Sequence, residues 1–211
     1  GMEISYHACD IGNREAVQEL IKVIEKQFGG LSAVFHCAGS LQDGLLLNKQ
    51  KDQVEKVFAG KIHGLINIHD ATLAHSLRFF ALFSSLTSIT GNIGQTDYSY
   101  ANRFLEEWAV YRNQLTAQKK CNGITIAVSW PPWKEGGMQV PEHALAALKE
   151  QTGMEPIETD AAFTLLQQCI LTGGGHYIVV SGNGIKIDRL FTPQVSSTET
   201  NTMHQLQPAL L

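Results

Sequence analysis

Four apolar runs of strand length, at residues 31–38, 79–85, 124–130 and 176–182, are separated by stretches long enough to hold a helix. Antiparallel neighbours can be joined by a two-residue turn, whereas parallel neighbours need a crossover of about a dozen residues or more. The spacing therefore predicts right-handed βαβ units: a parallel sheet with helices on both faces, an α/β fold. The intervening stretches agree with this. Residues 13–28 place Val17, Leu20, Ile21, Ile24 and Phe28 at helical spacing, with Asn13 as N-cap and Gly29-Gly30 as the stop. A longer helix is predicted over 51–74. Its Gly60 and Gly64 each weaken it by about 1 kcal/mol, so packing must hold it. Further helices are predicted at 96–118, 141–150 and 158–171, and a first strand at 3–9. A Gly-Asn-Gly turn at 182–184 leads into Ile-Lys-Ile-Asp-Arg-Leu. The domain is placed at 1–190, and the Ser/Thr/Gln-rich remainder, 191–211, reads as a linker or disordered tail. Gly1-Met2 reads as a scar of tag removal and takes no part in the fold.

Charge and cysteine usage narrow the function classes. A net charge of -4 leaves no basic face for nucleic acid or an anionic membrane. The apolar runs fall short of the roughly 20 residues a bilayer requires, and no signal-peptide pattern opens the chain. The four cysteines show no CxxC spacing, and two lie in apolar strand-like runs, which points to buried reduced thiols and a cytoplasmic protein. His63, His69 and His75 match no metal-ligand spacing, so no metal site is expected. The lysines at 49, 51, 119 and 120 read as solvated surface.

The chemistry concentrates in the stretch 80–102, FALFSSLTSITGNIGQTDYSYAN. Ser85 ends a strand, Tyr98 begins a helix across a Gly-containing loop, and Asn102 follows one turn later on the same face. The carboxyl ends of the strands are where open α/β sheets place their ligands. A phenol titrates near 10 and handles protons poorly at neutral pH unless a nearby cation lowers it. Lys61, in the preceding helix, is the candidate cation. Serine, tyrosine and lysine together suit protonation of a carbonyl oxygen while hydride reaches its carbon.

From Ile4 to about Leu190 the chain resembles the catalytic part of ketoreductase domains of modular polyketide synthases, in the short-chain dehydrogenase/reductase superfamily. The resemblance is carried by ACDIGNREAV, VFHCAG, LQDGLLLN, GKIHGL, FALFSSLTSITGNIGQTDYSYAN, SWPPWKEGGM and HYIVV, in family order. The wording is most similar to bacterial synthases that use separate acyltransferases. The resemblance implies a Rossmann-like doubly wound sheet and NADPH-dependent reduction of a 3-ketoacyl group on the phosphopantetheine arm of an acyl carrier protein. It implies Tyr98 as proton donor, Ser85 as the hydroxyl orienting the ketone, Lys61 at the nicotinamide ribose and Asn102 as the active-site asparagine. Asp10 and Ile11 would border the adenine, and Ala38 and Gly39 would border the cofactor alongside Lys61 and Tyr98. Leu41, Asp43, Gln95 and Met138 would face the substrate. Asp43, within LQD, stands at the position marking B-type enzymes, and Thr90 stands where A-type enzymes have tryptophan, so a D-configured hydroxyl is expected.

One departure matters. The family begins with a strand, a Gly-rich turn and a helix whose N-terminus holds the pyrophosphate, and no TGxxGxG occurs in this sequence. Gly91–Gly94 and Gly173–Gly175 have the wrong context for a phosphate loop. In the family's sheet order the strand at 3–9 is separated from the others by two strands that this sequence lacks. The strand near 32–37 is then expected at an open edge, covered by the missing N-terminal half or by a second chain. The competing expectation is a cofactor-less module acting as a scaffold or docking unit.

Overall fold

The computed structural model describes residues 3–138 and 140–192. Its centre is a four-stranded, all-parallel sheet in sequential order: β1 (Ala33–His36), β2 (Phe79–Ser85), β3 (Ile124–Trp130) and β4 (Gly175–Ile178). Strands buried on both faces read as continuous apolar runs rather than alternating ones, and β2 and β3 behave this way. Ala81, Ile126, Val128 and Trp130 face one layer with Ala162, Leu166 and Cys169 of α7 (Thr159–Thr172). Phe80, Leu82 and Ala127 face the other, with Leu65 of α3 (Gly64–Ala71) and Leu105 and Ala109 of α5 (Thr96–Ala117). The predicted α/β architecture is present.

The first helix, α1 (Arg14–Phe28), runs between its predicted signals. Asn13 accepts from the Ala16 amide at 2.9 Å, and Gly29 closes the helix in the left-handed region with φ 80°. The predicted helix over 51–74 is two helices, α2 (Lys51–Phe58) and α3, joined without a break by a π turn, Ala59–His63. The loop after β2 holds a one-turn helix, α4 (Thr87–Thr90). The helix predicted at 141–150 is α6 (Glu142–Thr152). The segment after the Gly-Asn-Gly turn is α8 (Gly184–Phe191), capped by the Asn183 side chain on the Lys186 amide. Apart from Phe191 and Thr192, the tail lies outside the described residues.

Three expectations are corrected. Residues 3–10 form no strand, and Ile4 and Tyr6 are 80% and 90% exposed. An extended segment needs a partner ladder for its amides, and the described sheet offers it none nearby. The run 31–38 yields only four strand residues, at the expected open edge: β1 pairs with β2 alone, His36 points inward and Phe35 is half-exposed. The buried thiols are Cys121 and Cys169, whereas Cys9 and Cys37 in the strand-like runs are partly or largely exposed.

Candidate active site

The π turn delivers Lys61. A π turn closes an i→i+5 hydrogen bond, here from the Gly64 amide to the Ala59 carbonyl, and so widens the helix by one residue at that point. Lys61 projects from it into the protein, 2% exposed, and its ammonium donates to the Phe83 carbonyl of β2 at 3.0 Å. Burial pushes its pKa down to about 8. The Lys61 stem passes directly under the loop after β1, where a Cβ on Gly39 would stand 2.9 Å from Lys61 Cε. A side chain there would have to push the end of the Lys61 chain aside. His36, beneath, donates from Nε2 to the Lys61 carbonyl at 3.1 Å, and burial, the largest influence on it, pushes its pKa down to about 4, so it is neutral at pH 7.

Tyr98, in the first turn of α5, is buried against Val57, Ile62 and Ala101, with Leu41 packed on the same cluster. Lys61 Nζ lies 5.4 Å from the centre of its ring. The ammonium therefore sits over the ring face, engaged with a carbonyl, and the phenol is not lowered as the sequence suggests. Burial raises it, the Asn102 and Ser85 side chains flanking it pull it down, and the Asp43 carboxylate raises it again. The phenol's hydroxyl points to Met138 Sδ at 3.8 Å, from the loop after β3. Asn102, fully buried, donates to the Tyr98 carbonyl at 2.9 Å, while its Oδ1 has no hydrogen-bond partner among the described residues. A buried amide oxygen left unpaired is an acceptor in want of a donor. Ser85, at the end of β2, accepts from the Thr87 amide and hydroxyl at 3.3 and 3.1 Å, which fixes its rotamer. Tyr98, Ser85, Asn102 and Lys61 thus converge on one place, as do Leu41, Asp43 and Met138.

The loop carrying Leu41 and Asp43 is tied to the start of α5. Gln95 donates to both Asp43 oxygens at 3.1 Å, and the Gly44 amide donates to the Gly94 carbonyl at 3.0 Å. The remaining sequence-predicted residues lie beside the π turn. Asp10 accepts from the Gly12 amide at 2.9 Å in a tight turn, and Asn67 of α3 donates to the carbonyls of Ile11 and Gly12. Ala38 and Gly39 follow β1 at the Lys61 stem.

Two groups were missed. Lys49, expected at the solvated surface, is a buried ion-pair partner of Asp97, with both side chains under 5% exposed. Glu106 of α5, 1% exposed, accepts the hydroxyls of Ser84, Ser88 and Ser129, drawn from β2, α4 and β3. The one sequence signal for it is its position four residues after Asn102 on the same helical face.

Among the described residues no TGxxGxG turn leads from a strand into a helix, no group of three or more His, Cys, Asp or Glu side chains could hold a metal, and no helix is long and apolar enough to cross a membrane. The donor set fits the ribose end of a nicotinamide cofactor, with a cation and a phenol side by side next to Gly39, and among the described residues no TGxxGxG turn cradles its pyrophosphate.

Comparison with known proteins gives a consistent picture. The KR domain family matches residues 1–135. Polyketide synthase PksN of Bacillus subtilis is 36% identical over 187 residues, covering 89% of this chain and 3% of that protein. Polyketide synthase PksL of the same organism is 36% identical over 182 residues, 86% of this chain and 4% of PksL. The chain therefore spans only a few per cent of the length of these relatives. Among solved structures, a ketoreductase domain from the bacillaene assembly line superposes with a TM-score of 0.87 at 34% identity, over 90% of this chain and 46% of the other.

Proposed function

Because the chain belongs to the ketoreductase-domain family of polyketide synthases, in the short-chain dehydrogenase/reductase superfamily, we propose that it reduces a 3-ketoacyl group to a 3-hydroxyacyl group. The substrate would be presented on the phosphopantetheine arm of an acyl carrier protein in the cytoplasm, with NADPH as reductant. The observation that carries this reading is the convergence of Tyr98, Ser85, Asn102 and Lys61 on one buried spot at the carboxyl end of β2.

Each residue has a task its surroundings suit. When bound, the nicotinamide supplies a hydride to the carbonyl carbon. Ser85 donates to the ketone oxygen, its position fixed from behind by Thr87. Tyr98 gives its hydroxyl proton to the same oxygen as charge develops there, and the Asn102 and Ser85 side chains, which pull the phenol's pKa down, stabilise the phenolate left behind. Lys61, Tyr98, Ala38 and Gly39 would hold the ribose end, and Asp10 and Ile11 the adenine end. Asn102 Oδ1, buried and unpartnered, suits a hydrogen-bonded path that returns a proton to Tyr98. Leu41, Asp43, Gln95 and Met138 would orient the acyl chain, and Asp43 in its LQD setting supports a B-type, D-configured product.

The open edge of β1 and the absence of a phosphate cradle among the described residues support a further part of this reading: an N-terminal half or a second chain completes the sheet and the cofactor site. The same two observations favour the rival reading, a scaffold without cofactor. A 3-ketoacyl thioester and NADPH, followed by loss of nicotinamide absorbance, separate the two. Turnover by the protein, alone or with an N-terminal half added, and its loss in Tyr98→Phe support reduction. No turnover under either condition leaves the scaffold.

A further inference from the structure

Lys49 occupies an unusual position for a lysine. Its ammonium is sequestered between the Gln42 carbonyl, at 2.6 Å, and Asp97 Oδ1, and the side chains of the pair are 2% and 4% exposed. Asp97 Oδ1 also accepts the Tyr98 amide at 2.9 Å. One ammonium therefore joins the backbone of the Leu41–Asp43 segment to the residue whose carboxylate holds the backbone of Tyr98. Two weaker ties run alongside it, from Gln95 to Asp43 and from Gly44 to Gly94. Beyond them the loop has little to hold it: Leu45, Leu46 and Leu47 are 55%, 66% and 96% exposed. Asp97 Oδ2, buried, has no partner among the described residues, so the whole compensation of that carboxylate falls on Oδ1.

A buried pair of this kind adds little net stability over a well-packed apolar pair, while loss of one partner strands the other's charge. Its best-attested use is to fix one arrangement among several. Here the arrangement fixed is the distance from the 41–43 segment to the Tyr98 hydroxyl. Leu41 packs in the Tyr98 cluster, and the Asp43 carboxylate is close enough to act on the phenol.

We propose that Lys49 is a positioning residue of the reductase site: its ion pair with Asp97 clamps the substrate-facing 41–48 loop to the first turn of α5 and so fixes which face of the ketone meets the hydride. This rests on the reductive reading above. It assigns stereochemical fidelity to a residue that touches neither substrate nor cofactor.

The test uses the intact polypeptide carrying this chain, with NADPH and a 3-ketoacyl thioester, and resolves the configuration of the hydroxyl product by chiral chromatography. For Lys49→Met the ratio of major to minor configuration falls at least tenfold, KM rises more than kcat falls, and Lys49→Arg recovers most of the ratio. A Lys49→Met enzyme that loses rate in step with its thermal midpoint and keeps its product ratio overturns the proposal. Amide hydrogen exchange supplies a readout that needs no turnover. Amides of residues 42–48 exchange at least tenfold faster in Lys49→Met, with β2 and β3 unaffected. If the wild type reduces nothing, the reductive reading fails by itself, and unchanged exchange in the loop would independently sink the clamp. Should Lys49→Met not fold, the doubly neutral Lys49→Met/Asp97→Asn variant, which strands no charge, carries the same two measurements with the same expected outcomes.

Discussion

The floor of the site and the β1 edge are built from the same sheet by opposite means. At the floor, side chains from β2, β3, the π turn and α5 are buried and cross-tied: Lys61 to Phe83, Glu106 to three serines, Asn102 to Tyr98, Lys49 to Asp97. At the edge, β1 pairs on one side only, Phe35 stands half in solvent, and residues 3–10 add no strand. On the reading proposed above, proton handling would need only residues packed on this sheet, while the part of the site nearest the edge would depend on a covering element. The contrast is one of density: buried polar groups satisfied by several elements at once resist change, and edge groups satisfied by one element do not.

The sharpest way to break the comparison is at Lys61. Lys61→Met removes the cation beside Tyr98, and ketoreduction should fall by about 10³-fold, within the range general acid–base catalysis contributes. Stability should not follow. The Lys61 pKa is lowered by burial to about 8, so the folded state disfavours its charged form. Between about pH 8 and 10.5 the unfolded chain holds the proton more tightly, and wild-type stability should rise with pH there relative to Lys61→Met. Urea titrations at pH 7 and 10 measure this, and rates across pH 7–9 should decline as Lys61 deprotonates.

Glu106 is the structural counterpart. Glu106→Ala leaves the buried hydroxyls of Ser84 and Ser129 without their 2.6 Å acceptor and opens a void, an expected loss of about 3–4 kcal/mol in urea unfolding. Glu106→Gln retains an acceptor and should lose roughly half as much. Equal losses would show that the charge, rather than the acceptor geometry, holds the floor together.

Legibility in the sequence followed how local each determinant is. The cap and stop of α1 lie within the helix they bound, so Asn13 and Gly29 predicted it to the residue. β2 and β3 were legible because burial on both faces makes their runs continuous. Tyr98, Ser85 and Asn102 were found through a compact stretch of sequence and brought together as expected. The strand at 3–9 was misread because period alone does not say whether a partner is present. Lys49 was misread because Asp97, which buries it, lies 48 positions away. The π turn left only a trace, the two glycines at 60 and 64, which read as weakness in a helix instead of a widening of it. The downward shift expected for Tyr98 failed because proximity in sequence logic says nothing of whether a cation meets the hydroxyl or the ring face.

Adjacent residues of β1 test the edge at its finest grain. His36 faces inward and neutral, its pKa pushed down to about 4 by burial, opposed by its bond to the Lys61 carbonyl. A depressed histidine contributes stability in full above its unfolded pKa near 6.5. That contribution is lost as pH falls to 4 and below, by about 3 kcal/mol in all. His36→Asn should flatten the curve between pH 6.5 and 4.

Phe35 faces outward, 51% exposed, with its ring 5.2 Å from Phe79 in an edge-on pair. Phe35→Lys should cost no more than about 1 kcal/mol, the value of such an aromatic pair, and should lower self-association in sedimentation, because a charged edge strand resists pairing. A loss above about 3 kcal/mol would mean that the outer face of β1 is packed against something in solution. The two substitutions then report on opposite sides of one strand. A pH-dependent inner side and an indifferent outer side are what a sheet left open at β1 requires, and sensitivity on both sides would place a covering element directly over it.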